Sequence, residues 1–205
     1  MKATFRALLL AAVGAVALSA SAVAQEGFVA PETDRVFSQG VAAYKRGDFA
    51  TALRIWRPLA EQGDADAQSN LGLMYDNGEG VPENDAEAVR WYRLAAERGL
   101  ARAQAMLGAR YYFGEGVPEN YAEALRWFLL AAEQGLDPAQ FHLGNMYYRG
   151  EGVPENYAEA YKWWALAAAR GDANAKQKRD ILRNQMTPAQ IAEAQELAAE
   201  WKPKE

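Results

Sequence analysis

Gly63, Gly99, Gly135 and Gly171 stand 36 residues apart, and the sequence between them is written three times, at 65–100, 101–136 and 137–172. No other feature limits this chain so strongly. A unit of that length cannot bury an apolar face alone, so its copies must stack into an array. In the first half of each copy, Ala67, Leu71, Met74 and Tyr75 are matched by Ala103, Leu107 and Tyr111, then by Ala139, Leu143, Met146 and Tyr147. That i, i+4, i+7, i+8 spacing is one face of a helix. In the second half, Ala88, Trp91, Tyr92, Ala95 and Ala96 return as Ala124, Trp127, Phe128, Ala131 and Ala132, then as Ala160, Trp163, Trp164, Ala167 and Ala168. This is a second, wider apolar face, and each copy therefore reads helix, loop, helix.

The segment GEGVPEN joins the two halves at 78–84, 114–120 and 150–156. Its glycines turn the chain out of the first helix, Val81, Val117 and Val153 tuck under the loop, and Pro82, Pro118 and Pro154 stiffen it. Asn84, Asn120 and Asn156 precede Glu87, Glu123 and Glu159 by three residues, a spacing for N-caps with reciprocal capping by the glutamate. Gly99, Gly135 and Gly171 close the second helix, and Asp137-Pro138 reads as an N-cap followed by a first-turn proline. Gly72, Gly108 and Gly144 fall inside the first helix, where glycine costs about 1 kcal/mol against alanine. Their recurrence predicts close approach of another backbone, with the aromatic pairs of the second helix against or near it.

Residues 37–64 read as a shortened first repeat whose loop shrinks to KRGD, with Asp48 in the place of Asn84 and Pro58 predicting a kink or early stop in its second helix. Residues 173–205 read as capping helices, the last opening on Thr187-Pro188-Ala189-Gln190 with a seam of Ile191, Ala194, Ala198 and Trp201. At the other end, Lys2 and Arg6, the apolar run Ala7 to Leu18 and the small residues Ala22-Val23-Ala24 predict a signal peptide over 1–24, with a lead-in over 25–36.

The pattern AxAQxxLGxxYxxGxGVPENYAEAxxWxxxAA closely resembles the Sel-one-like repeat, a relative of the tetratricopeptide repeat, over about 40–172. The resemblance implies an all-α, right-handed α-α superhelix (solenoid) of about four helix-turn-helix repeats with a C-terminal capping helix. It implies protein–protein contacts, often as an adaptor, and no reaction. A cysteine-rich branch of that family pins its repeats by disulfides and is linked to penicillin-type ligands. This chain has no cysteine and no S-x-x-K motif, which places it outside that branch.

Composition narrows the partners. The whole chain carries a formal charge of −5, and losing Lys2 and Arg6 with the leader makes it more negative. That opposes nucleic acid or anionic lipid as the main partner. Export without cysteine suits a periplasmic or secreted protein with no membrane span after signal cleavage. No cofactor is expected. His142, the single histidine, lacks the companions of a metal or catalytic site and reads as a helix-surface residue. Glu79, Glu83, Glu115, Glu119, Glu151 and Glu155 form a solvated acidic row rather than converging on calcium. Gly78 and Gly80 lack the lysine of a phosphate loop.

The face beside the core stripe of the first helices differs from copy to copy, as expected of a surface free of packing duties. It supplies the candidate partner-binding residues Phe37, Tyr44, Leu73, Asn77, Tyr112, Phe113, Phe141, Asn145, Tyr148 and Arg149, rich in the aromatics that binding hot spots favour. The function expected is a non-catalytic, monomeric interaction module binding a protein or peptide along the concave groove. A cell-wall-associated enzyme subunit or regulator is the alternative. Self-association into longer solenoids is opposed by the polar stretch Lys176 to Asp180.

Overall fold

The computed structural model describes residues 32–204. The expected signal peptide and the lead-in up to residue 31 lie outside the described residues. Ten α-helices and no strand occur among the described residues: α1 Glu32–Lys45, α2 Phe49–Glu61, α3 Ala65–Asn77, α4 Asp85–Glu97, α5 Ala101–Phe113, α6 Tyr121–Glu133, α7 Asp137–Arg149, α8 Tyr157–Ala169, α9 Ala173–Arg183 and α10 Pro188–Glu200. α1 starts five residues ahead of the expected repeat boundary at 37, and α2 runs through Pro58 to Glu61 without the early stop.

Two compact units divide the chain, one ending at Ala103 and one beginning at Gln104. In the first, α1 packs on α2, α2 on α3 and α3 on α4. Its core gathers Trp56, Leu71, Met74 and Trp91, with Phe37, Tyr44 and Val81 packed against it. In the second, α6 packs on α7, α7 on α8, and both α9 and α10 on α8. There Tyr161, Trp164, Leu182, Met186 and Ala194 form a core bordered by Phe141 and Tyr148. Burying each large apolar side chain stabilises by about 1.5–3 kcal/mol.

The in-helix glycines serve this packing through the second-helix aromatics expected near them, rather than through a second backbone. A side chain, not a backbone, fills the space: Trp56 over Gly40, Tyr92 over Gly72, Phe128 over Gly108 and Trp164 over Gly144. Every one of these rings comes from the second helix of the same hairpin. A flat ring fills the notch completely, so no second backbone is needed.

The repeated loop is a joint. Gly78, Gly114 and Gly150 turn left-handed at φ 68°, 69° and 68°, where a Cβ would be strained. The backbone N–H groups of Asn84, Asn120 and Asn156 then donate to the carbonyls of Tyr75, Tyr111 and Tyr147 at 2.8, 2.8 and 2.9 Å. Their side chains cap the second helix, accepting from the N–H groups of Glu87, Glu123 and Glu159 at 3.1, 3.1 and 3.0 Å. The reciprocal half of that cap is absent. Those glutamates pair instead with Arg90, Arg126 and Lys162 at 3.1, 3.6 and 3.2 Å, cations three residues on along the same face. At Thr187 and Gln190, with no such cation, both halves form. α7 also departs from expectation. Its N-cap is Leu136 and Asp137 lies inside the first turn, paired with Arg170 at 3.3 Å.

Candidate functional site

In the first unit, Phe37 stacks on Trp56 with centroids 5.9 Å apart, and its carbonyl accepts from the indole N–H at 3.3 Å. Tyr44 lies edge-on to Phe49 at 5.3 Å and donates its hydroxyl to the Glu79 carboxylate at 2.6 Å. Burial, then the bond to the charged Glu79, pushes that hydroxyl above the usual tyrosine range. Asn77 is exposed at the end of α3, whereas Leu73 is buried, at 8% exposure.

In the second unit, Tyr112 packs against Phe113 at 5.0 Å and Tyr121 at 5.3 Å. Its hydroxyl donates to Glu151 at 2.7 Å and accepts from Arg149 at 3.2 Å. Burial and the Glu151 carboxylate raise its pKa as they do for Tyr44. The Phe141 carbonyl accepts from the Trp164 indole N–H at 3.2 Å. Tyr148 stacks on Tyr157 and tilts against Trp164, both at 5.6 Å. Arg149 is exposed and Asn145 is buried, at 8% exposure.

The face is therefore narrower than variation between copies predicts. Leu73 and Asn145 are buried and offer a partner little surface. Variation marked positions released from one fixed side chain, not positions released from packing. The aromatics stay half-exposed with orientations fixed by rings and hydroxyl bonds.

His142 corrects the surface reading. It is 6% exposed, stacked on Phe128 at 5.1 Å and edge-on to Phe141 at 5.4 Å. Burial holds its pKa down at about 3, because the imidazolium loses its hydration there. Its counterparts Asn70 and Met106 are buried too, and the apolar Met106 was the signal in the sequence. The acidic row is likewise only half solvated. Glu79 and Glu151 are engaged by tyrosines and Glu115 by Arg110 at 2.8 Å, while Glu83, Glu119 and Glu155 are exposed.

Two features escaped the sequence reading. Arg90, Arg126 and Lys162 lie over the rings of Trp91, Trp127 and Trp163 at 4.8, 4.2 and 4.5 Å, each cation also held by its glutamate. Lys204 also donates its backbone N–H to the Glu133 carbonyl at 2.7 Å, beyond Trp201 of the expected seam, which meets Trp163 at 6.4 Å.

The Sel1 repeat matches residues 65–100, 101–136 and 137–172, more than half of the chain. Among solved structures, the chain is similar to a protective antigen present in uropathogenic Escherichia coli strains that displays an SLR fold. That likeness has 36% identity and a TM-score of 0.72, covering 82% of this chain and 38% of the other. It is also similar to a Sel1 repeat protein from Oxalobacter formigenes, with 35% identity and a TM-score of 0.69, covering 72% of this chain and 61% of that one. The chain thus spans less than two thirds of either. No curated protein matches it. The likenesses establish the all-α solenoid class.

Proposed function

This chain belongs to the Sel1 repeat family, and on that premise we propose that it is a non-catalytic recognition module of the bacterial periplasm that binds a protein or peptide through its first helices. Sel1 repeat proteins generally mediate protein–protein interaction, and their solenoid fold is generally non-catalytic. The observation that carries the reading is the state of the aromatics. Tyr44 and Tyr112 are tied by their hydroxyls, and Phe141 and Tyr148 are wedged against Trp164 or its neighbours, yet all keep an exposed side. Aromatic surface ordered in advance loses little conformational entropy on binding. Asn77 and Arg149 supply exposed polar groups beside it. Export rests on the residues of the leader at 1–24. No helix among the described residues is long and apolar enough to cross a membrane.

Photo-reactive side chains placed at Asn77 and Arg149, and as controls at Arg90 and Arg126 on the second helices, test this in cells. Partners should cross-link from the first pair and not from the second. Equal yields from all four positions would overturn the assignment of the face.

A further inference from the structure

Three cations withdrawn from water among the described residues come with a counter-charge. Arg102 meets Asp66 at 3.0 Å, Arg110 meets Glu115 at 2.8 Å and Lys162 meets Glu159 at 3.2 Å. Lys178 of α9 breaks the rule. It is half-buried, its ammonium 5.4 Å from the Trp164 ring centroid and 6.0 Å from that of Phe141. No carboxylate among the described residues pairs with it. Its pKa is lowered by burial and then by the positive charge of Arg149, which itself pairs with Glu151 at 3.5 Å. Phe141, whose ring borders Lys178, shares the i, i+4, i+7, i+8 stripe of α7 with Asn145, Tyr148 and Arg149. α9 itself carries Lys176, Lys178, Arg179 and Arg183 against Asp180 alone, in a chain whose formal charge is −5.

Resting on the recognition function proposed above, we infer that Lys178 forms a carboxylate subsite that takes an acidic side chain from an extended segment of the partner protein, whose apolar neighbour lies on Phe141 and Tyr148. A half-buried ammonium with no carboxylate beside it is costly, and an incoming carboxylate supplies the missing partner. The rings around the ammonium favour an acid delivered on a methylene stem. A main-chain terminus would bring unpaired peptide groups against the same apolar surface. Polyanions suit the site poorly, because the acidic remainder of the molecule repels them.

Calorimetry with two peptides blocked at both ends, one of Phe-Glu-Ser repeats and one of Phe-Gln-Ser repeats, tests the subsite. Wild type should bind the Glu peptide about tenfold more tightly, the factor that 1.4 kcal/mol gives. Lys178→Met keeps the apolar stem and should erase the preference, and Lys178→Arg should restore it, with circular dichroism confirming that both variants fold. Equal binding of the two peptides by wild type would overturn the subsite and leave the recognition face standing. Binding of neither would overturn both. A Phe-Gln-Ser peptide with a free C-terminus that matched the Glu peptide would point to a chain end and sink the side-chain assignment. Retention by vesicles of anionic phospholipid with no response to the Glu peptide would sink it as well.

Discussion

Hairpin α1–α2 and hairpin α7–α8 share a plan and differ in their joints. In both, an indole from the second helix covers a glycine of the first, Trp56 on Gly40 and Trp164 on Gly144, and donates to the carbonyl three residues before that glycine. Both set a phenylalanine and a tyrosine of the first helix around the indole, Phe37 and Tyr44 in one, Phe141 and Tyr148 in the other. Yet α1 reaches α2 through three residues and α7 reaches α8 through seven. The ring-in-notch contact thus holds the two helices together, and the loop only has to turn the chain and cap the second helix. The hairpins also differ around the indole. Tyr44 is tied to Glu79, while Trp164 borders the cation Lys178.

The largest effect should come from emptying the notch. Trp164→Ala is expected to cost about 3–5 kcal/mol, and Trp56→Ala a similar amount despite its shorter joint, both read by urea unfolding. A much smaller loss at Trp56 would mean that the short joint, not the ring, holds that hairpin. Next comes acid. His142 binds a proton in the unfolded chain near 6.5 but in the folded one only near 3. Its contribution is therefore complete above pH 6.5 and lost as pH falls toward 3, on the order of a few kcal/mol. His142→Met should flatten that part of the stability–pH curve, and an unchanged curve would refute the buried assignment.

Overfilling the notch should rank third and be graded. A Cβ at Gly144 would stand 2.3 Å from Trp164, whereas one at Gly108 would stand 3.1 Å from Phe128. Gly144→Ala should cost about 1–3 kcal/mol and Gly108→Ala clearly less. Reversal of that order in melting experiments would break the packing account. The joints give the smallest effects. Asn156→Ala should cost about 1 kcal/mol at any pH. Asp48→Ala should matter only where Asp48 is ionised. The Thr51 hydrogen bond lowers its pKa, so its cap is present above the ordinary aspartate range and lost as pH falls through the depressed value. A pH-independent Asp48→Ala effect would show that its carboxylate is not the cap.

Most of the fold was legible because periodic residues do periodic work. The apolar spacings placed α3 to α8, and the asparagines marked where the second helices begin. What escaped depended on competition between neighbours. Glu87, Glu123 and Glu159 could not be assigned by spacing to the cap or to the cation three residues on, and the cation won. His142 is polar in type but holds a core position, and only the rings of Phe128 and Phe141 reveal it. The candidate face was legible in outline through its aromatics, but not the burial of Leu73 and Asn145. A helical stripe gives an angle around an axis, not the width of the neighbour packed against it.

By itself, the sequence determined the repeat, its helix-loop-helix unit, the turns that need glycine and the absence of disulfides, since each stems from local backbone preference or residue type. Only the tertiary structure decided that a ring rather than a backbone fills the notch at Gly72, Gly108 and Gly144, which glutamates of the GEGVPEN loops are engaged, and that Lys178 is a half-buried cation with no acid paired to it among the described residues. Those are contacts between residues distant in sequence, where burial sets the energy of a charge or a ring, and no local pattern encodes burial.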